Sequence, residues 1–575
     1  MESARTFLLI LLAFLTFLLY NAWTEQHAPA KTNQAPIESS LGALEAQNPP
    51  ADPASNLPVS STTMDDIASQ TPESQAKVQS EAVLKTQPVE VVTDTLKVLI
   101  SPAGGNLVSA ELLNFKDSLE KDAKPLNILE NRDGRVFLAL SGLYGTGAPD
   151  QDGKVVSYQS EKSHYQLEDG EDQVTVNLRW TNDQGVEYTK QLTFYRGQYL
   201  IETKYIVSNK GSERIANRMF TALKRDTLPV ANQETSGFGM QSFVGPAYST
   251  DQSKYEKYSF EDLSEEPLNI KTKGGWVAIL QHYFVTAWVP ETEETAENLI
   301  DTADKNLGKS GLAQIRITQD WQWIDPDQSA TFSAKLYVGP KIQDDLEQIA
   351  EGLELTVDYG FLWWIGQPIF ALLTFLQGFV INWGLAIICV TIAIKMLLYP
   401  LARAQYRSFA KMRLLQPKLT AMKERYGDDR QQFSMKMMEL YKKEKVNPLG
   451  GCFPLLIQMP VFIALYWVLM ESVELRHAPF MLWIDDLAVK DPYFVLPLLM
   501  GASMYLMQKM QPASPTMDPM QQKMLQMMPV FMTVFFVFFP AGLVLYWLMN
   551  NLISIAQQLY ITNQFNKEQE AKTKK

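Results

Sequence analysis

The sequence predicts a membrane bundle of six α-helical spans attached to one large all-β domain of the sandwich type. Three observations carry this reading. Long apolar runs occur only at the start of the 575-residue chain and after residue 360. Between them lie short runs of alternating apolar and polar residues, separated by Gly, Asn and Asp, the pattern of half-buried strands joined by turns. Charge divides along the same line: residues 24–360 hold 29 basic and 50 acidic side chains, a net −21 in a chain of net −13, which leaves +8 for the remainder. An acidic part and a basic part suit different compartments, with the basic part facing the cytoplasm.

The first apolar run, 7–23, follows Arg5 and lacks the small-x-small cleavage pattern of a signal peptide, so residues 1–24 read as an anchor with its N-terminus inside. Residues 25–88 are rich in Ala, Pro, Ser, Gln and Thr and bury too little apolar surface to order themselves; they form a flexible linker. The β domain covers 89–345, with clean alternation at 174–180, 188–195 and 200–207 and turns at 182–185 and 209–211.

Two apolar segments follow almost without a break, 361–380 and 383–401. Counting both as spans would put the stretch 402–447, with 12 basic against 5 acidic residues, on the outside. The segment 358–382 is therefore expected to lie along the outer surface as an interfacial helix, with Trp363 and Trp364 at the headgroups. The five remaining spans are then 383–401, 449–473, 493–507, 525–539 and 543–561, and both termini are cytoplasmic. The loop 471–492 carries five acids against two bases and falls outside, while the tail 562–575 with its four lysines falls inside. The basic stretch 402–447 reads as a helical hairpin, with apolar stripes Met412, Leu415, Leu419, Met422 and Phe433, Met437, Leu440, Tyr441.

Lys395 is the most informative residue. An ammonium within a span costs about 2.5–3.5 kcal/mol on insertion scales, so it is expected to face protein or water unless it snorkels to the interface. Thr391 lies one turn before it, Gln458 sits inside its own span, and Asn550, Ser554 and Gln557 recur on one face of the last helix. Allowing for helix direction, these groups fall in the cytoplasmic half of the bilayer. Helix–helix hydrogen bonding is the plainer explanation for such amides and hydroxyls. A charge at the same depth favours a wet groove, open to the cytoplasm and closed towards the outside. Methionines are dense in the hairpin and around the fifth span, where Met524, Met527, Met528 and Met532 suit contact with varied apolar partners, core filling being the alternative.

Enzyme classes find little support. The histidines His27, His164, His282 and His477 are scattered, and no phosphate-binding G-x-x-x-x-G-K-[ST] loop occurs. Cys389 and Cys452 lie in apolar runs without the neighbours of a metal site. No cofactor, metal or sequence-specific nucleic-acid site is expected.

The run Lys445-Val-Asn-Pro-Leu-Gly-Gly-Cys-Phe-Pro-Leu-Leu-Ile-Gln-Met-Pro460, the stretch Tyr399-Pro-Leu with Ala404-Gln-Tyr406, and Gly542-Leu-Val-Leu-Tyr546 closely resemble YidC insertases. The resemblance implies a periplasmic β-supersandwich, a five-span core after the anchor, and a hydrophilic groove with one positive residue. It further implies that nascent membrane proteins are inserted either alone or beside the Sec translocon, with ribosomes or signal-recognition targeting factors met by the hairpin and tail. The groove cation, commonly Arg in the family, matches Lys395; Thr391 matches a groove-side threonine, and Tyr546 lies in the helix that contacts substrate. Lysine keeps the charge without the planar fork that grips a carboxylate at two points. The alternative is a transporter or channel with an extracytoplasmic binding domain, which requires a polar path through the whole membrane. The apolar outer halves of the spans speak against it.

Overall fold

The computed structural model describes residues 87–573, apart from 133, 152–154, 229–241, 261, 263–265, 293–295, 303–310, 427–428, 445–452 and 512–518. The anchor expected at 1–24, nearly all of the linker and Cys452 lie outside the described residues.

Among the described residues, twenty strands between Val89 and Pro340 form two sheets, of eleven and nine strands. Pairing is antiparallel throughout the described residues except where Val89–Val92 runs parallel to His164–Gln166. The expected alternating runs are strands: Gln173–Thr181, Val186–Tyr195 and Leu200–Asn209 are consecutive neighbours of the nine-stranded sheet. Their register follows from the turns. Asn182 Oδ1 accepts from the backbone N–H of Gln184 and Val186, at 3.0 and 2.9 Å, and Gly185 takes φ +81°, so Trp180 falls opposite Tyr188. Alternation then sends Val176, Leu178, Tyr188, Leu192 and Phe194 into the core between the sheets, beside Trp276 and Trp288.

A short helix, α1 (Gln343–Ile349), leads from the last strand towards the helical part. There α2 (Trp363–Val380) ends where Ile381 turns left-handed at φ +56°, and α3 (Trp383–Leu397) begins at once. Asn382 makes this abrupt joint possible. Its Oδ1 caps α3 by accepting from Leu385 N–H at 3.0 Å, and its Nδ2 donates to the carbonyls of Pro479 and Phe480. The chain bends by 68° into α4 (Tyr399–Tyr426), with Pro400 in the first turn, where a missing N–H does no harm. Asp429 caps α5 (Arg430–Lys443), and the hairpin closes on Leu415, Leu419 and Tyr441, with Met412, Met437 and Leu440 packed around them.

Four helices complete the chain: α6 (Phe453–Glu471), α7 (Val495–Lys509), α8 (Pro519–Phe536) and α9 (Ala541–Thr573). The last runs well past the expected end of the span at 561, so the tail is helical to Thr573. Its Lys, Glu and Gln are good helix formers with no Gly or Pro to stop them, and Arg407 of α4 ion-pairs with Glu568. By length and composition together, α2 is the single described helix able to cross a membrane unaided. The bent pair α3–α4 passes only if taken together, and the apolar stretches Ile457–Glu471 and Lys523–Phe536 are shorter. The helix expected to lie flat is thus the one that best meets a crossing test. It is also poorly covered, with Trp363, Trp364, Phe375 and Phe379 exposed.

Candidate functional site

Three helices bring the expected polar residues together. Lys395 lies near the end of α3, and its side chain is only 8 % exposed. The ammonium reaches across to α9 and donates to Ser554 Oγ at 2.8 Å, rather than running along its own helix to the end. Ser554 passes its own proton back one turn, to the Asn550 carbonyl at 2.7 Å. Asn550 Oδ1 accepts from Gln458 Nε2 of α6 at 2.8 Å, and Gln557 Nε2 donates to the Lys395 carbonyl at 3.3 Å. Gln458, Asn550, Ser554, Lys395 and Gln557 therefore form one connected chain across α3, α6 and α9.

The i, i+4, i+7 spacing on α9 explains this. Asn550, Ser554 and Gln557 share a face; α3 packs closely against α9 and aims that face at Lys395, while α6 touches α9 more sparsely and meets it through Gln458. The chain is not self-sufficient. An ammonium has three donors, yet Lys395 has one side-chain acceptor and no carboxylate partner among the described residues. Gln557 Oε1 is buried without a partner among the described residues. A buried cation facing only a hydroxyl is an unfavourable arrangement that an anion or water would relieve.

Thr391 and Tyr546 stand apart from this network. Thr391 is buried, and its hydroxyl donates to Ile387 O of its own helix at 2.6 Å. Tyr546 is buried in an aromatic cluster, its ring nearly parallel to Phe462 at 6.1 Å, with Trp547 and Phe536 nearby. It lies one turn before Asn550 on the same helix. On α8, Met524 and Met527 are 68 % and 61 % exposed, and Met528 and Phe531 extend the apolar surface, whereas Met532 is half-buried against the core. Sequence reasoning missed Ser503 of α7, which accepts from Asn551 Nδ2 at 3.0 Å and ties α7 to the same helix. A lone serine in an apolar span was the available signal. No His, Cys, Asp or Glu cluster suited to a metal occurs among the described residues.

Comparison with known proteins follows the same division of the chain. Residues 88–372 match the family model described as the YidC periplasmic domain, and residues 375–569 match that of the 60Kd inner membrane protein. The membrane protein insertase YidC of Shewanella halifaxensis is 47 % identical over 563 residues, covering 98 % of each chain. That of Marinomonas sp. is 46 % identical over 571 residues, covering 99 % of this chain and all of the relative. A solved active YidC insertase with its first transmembrane domain resolved aligns over 82 % of this chain and 92 % of its own, at 17 % identity and a TM-score of 0.35, too low to bear on the fold. With near-full-length identity to curated insertases and both halves matched by family models, the chain belongs to the YidC family of inner-membrane protein insertases.

Proposed function

We propose that this chain inserts nascent membrane proteins into the inner membrane through a groove that opens to the cytoplasm and is lined by Lys395, Gln458, Asn550, Ser554 and Gln557. The observation that carries the reading is the ammonium of Lys395, enclosed by helices and bonded to a hydroxyl instead of a carboxylate. A hydrocarbon layer of about 30 Å opposes passage of a polar peptide. A polar recess reaching part way shortens the dry path, and its fixed charge attracts acidic residues of the substrate's leading tail. The substrate's apolar segment then leaves sideways into lipid along the exposed Met524, Met527, Met528 and Phe531 face of α8, driven by its own burial. No chemical bond is made or broken, so the reading needs no cofactor or catalytic residue.

In this reading the chain crosses the membrane six times with both termini in the cytoplasm. α2 lies along the outer surface, because the basic hairpin α4–α5 then falls inside. The exposed tryptophans at the start of α2 suit the headgroup layer. The short helices α7 and α8 fit a locally thinned bilayer. The hairpin and the tail of α9 would meet ribosomes or targeting factors, and the chain would insert its substrates either alone or beside the Sec translocon. Thr391 and Tyr546 support the groove wall from behind rather than touching substrate.

Photo-crosslinking to ribosome-stalled chains tests this directly. Reactive side chains at Gln458 and Gln557 are expected to capture the polar leading tail, and those at Met527 and Phe531 the apolar segment that follows it. Capture of the apolar segment at all four positions, with the tail captured at none, would overturn the division of labour.

A further inference from the structure

We infer that Lys341 and Glu471 form a buried clamp that positions the C-terminal end of α6 on the β domain. Glu471 is the last residue of α6, and Lys341 directly follows the final strand, Ser329–Pro340. Both side chains are 2 % exposed, with Nζ and Oε2 3.8 Å apart. The same Oε2 accepts from Ser242 Oγ at 3.2 Å. An acid closing a membrane helix needs such partners, because an unpaired carboxylate has no favourable place there.

Four further contacts surround the pair. His282, in the turn between Trp276–Leu280 and Phe284–Glu291, bonds the Met470 carbonyl through Nε2 at 2.8 Å. A carbonyl only accepts, so Nε2 carries the hydrogen; burial pushes the ring down to about 4, which keeps it neutral at pH 7. It thereby satisfies one of the carbonyls that a helix end leaves without an internal partner. The neighbouring Tyr283 carbonyl accepts from the backbone N–H of Lys341 at 2.9 Å. Just beyond α6, Arg476 donates to Lys116 O at 2.7 Å and lies over the Phe284 ring at 5.7 Å. Widely separated segments of the β domain thus grip residues 470–476.

The pair is the part of this junction whose removal is asymmetric. Removing one partner strands the other charge without water, whereas removing both leaves an apolar contact. α6 carries Gln458 about 20 Å from Glu471, with Pro460 between them, so fixing one end restricts where the polar end can lie. That consequence for insertion rests on the groove reading; the clamp itself does not.

Hydrogen exchange on the full-length protein in lipid nanodiscs tests the clamp. Lys341→Ala and Glu471→Ala are each expected to speed exchange at the amides of 342–346 and 470–476 by at least about tenfold, while the double variant Lys341→Met with Glu471→Met stays within about threefold of the parent. Singles that exchange like the parent, or a double as fast as the singles, would overturn the clamp. If a single variant also speeds the sandwich core around Tyr205 and Val277, it has unfolded, and the charge-reversed pair Lys341→Glu with Glu471→Lys decides: restored protection supports the clamp, continued loss overturns it. Insertion assayed in parallel is expected to fall a few-fold in the singles and recover in the double. Protection that changes without insertion would leave the clamp intact and count against the groove.

Discussion

Lys395→Ala is expected to slow insertion of a substrate with an acidic translocated tail by about tenfold or more, and Lys395→Arg to keep it within a few-fold of the parent. Tenfold corresponds to about 1.4 kcal/mol of barrier. A charge pair at about 4 Å near a protein surface contributes roughly 4 kcal/mol, so the predicted loss is a modest share of what the ammonium can offer. Alanine removes both the charge and the bond to Ser554 Oγ. Arginine restores a charge that is longer and planar, so it suits the attraction but not the same bond to Ser554. The discriminating control is the tail. Replacing its acids with Asn and Gln is expected to make the parent and the alanine variant nearly equal, because a purely structural role for Lys395 would impair both substrates alike. Protease protection of pulse-labelled substrate in a depletion strain measures the rates. Full complementation by the alanine variant with the acidic tail would contradict the account.

The second large effect concerns where the function does not reside. Trp288→Ala is expected to destabilise the β domain by about 3–5 kcal/mol, the range for emptying a large aromatic site. Trp288 is fully buried between the sheets, and its indole N–H donates to Ala222 O at 3.2 Å, so the variant leaves a cavity and removes one buried hydrogen bond. For a domain of this size that shifts the melting transition down by roughly 10 °C. Scanning calorimetry of the full chain is expected to show it, with the insertion rate at growth temperature little changed. Deleting 89–320 takes the same question further, and viability should largely survive. The cut spares Lys341 but removes Ser242, His282 and Tyr283, the other residues around the end of α6. An activity housed in the sandwich, as in a carbohydrate-processing enzyme, would be lost in both variants.

Local pattern made the β domain readable. Period-2 alternation and Asn–Gly turns fix both the face and the register of a strand, so 174–180, 188–195 and 200–207 lie within observed strands. The polar chain was readable for a related reason: in helices this apolar, each amide or hydroxyl stands out, and spacing on α9 tells which share a face. Thr391 was placed by its spacing from Lys395 as well as by resemblance, and Tyr546 by resemblance alone; neither signal tells which partner a hydroxyl takes. The observed structure turns one onto its own backbone and the other into an aromatic cluster. Contacts between the β domain and the end of α6 were not readable at all. Glu471 counted in sequence as one acid of an outer loop, and its partner is 130 residues earlier with nothing local to mark it. The end of α9 escaped for the opposite reason, since a charged tail of good helix formers looks alike whether it is coil or helix.

The central claim is that water reaches the polar chain around Lys395 from the cytoplasmic side. Single cysteines at Gln458, Ser554 and Gln557, in a chain whose Cys389 and Cys452 are replaced by alanine, measure this with a membrane-impermeant thiol reagent. The account predicts labelling at all three positions in inverted membrane vesicles and protection in right-side-out vesicles. Protection from both sides, with a cysteine at the exposed Met435 of the hairpin still labelled in inverted vesicles, would mean that the helices enclose a dry hydrogen-bonded core, and the groove would have to be abandoned.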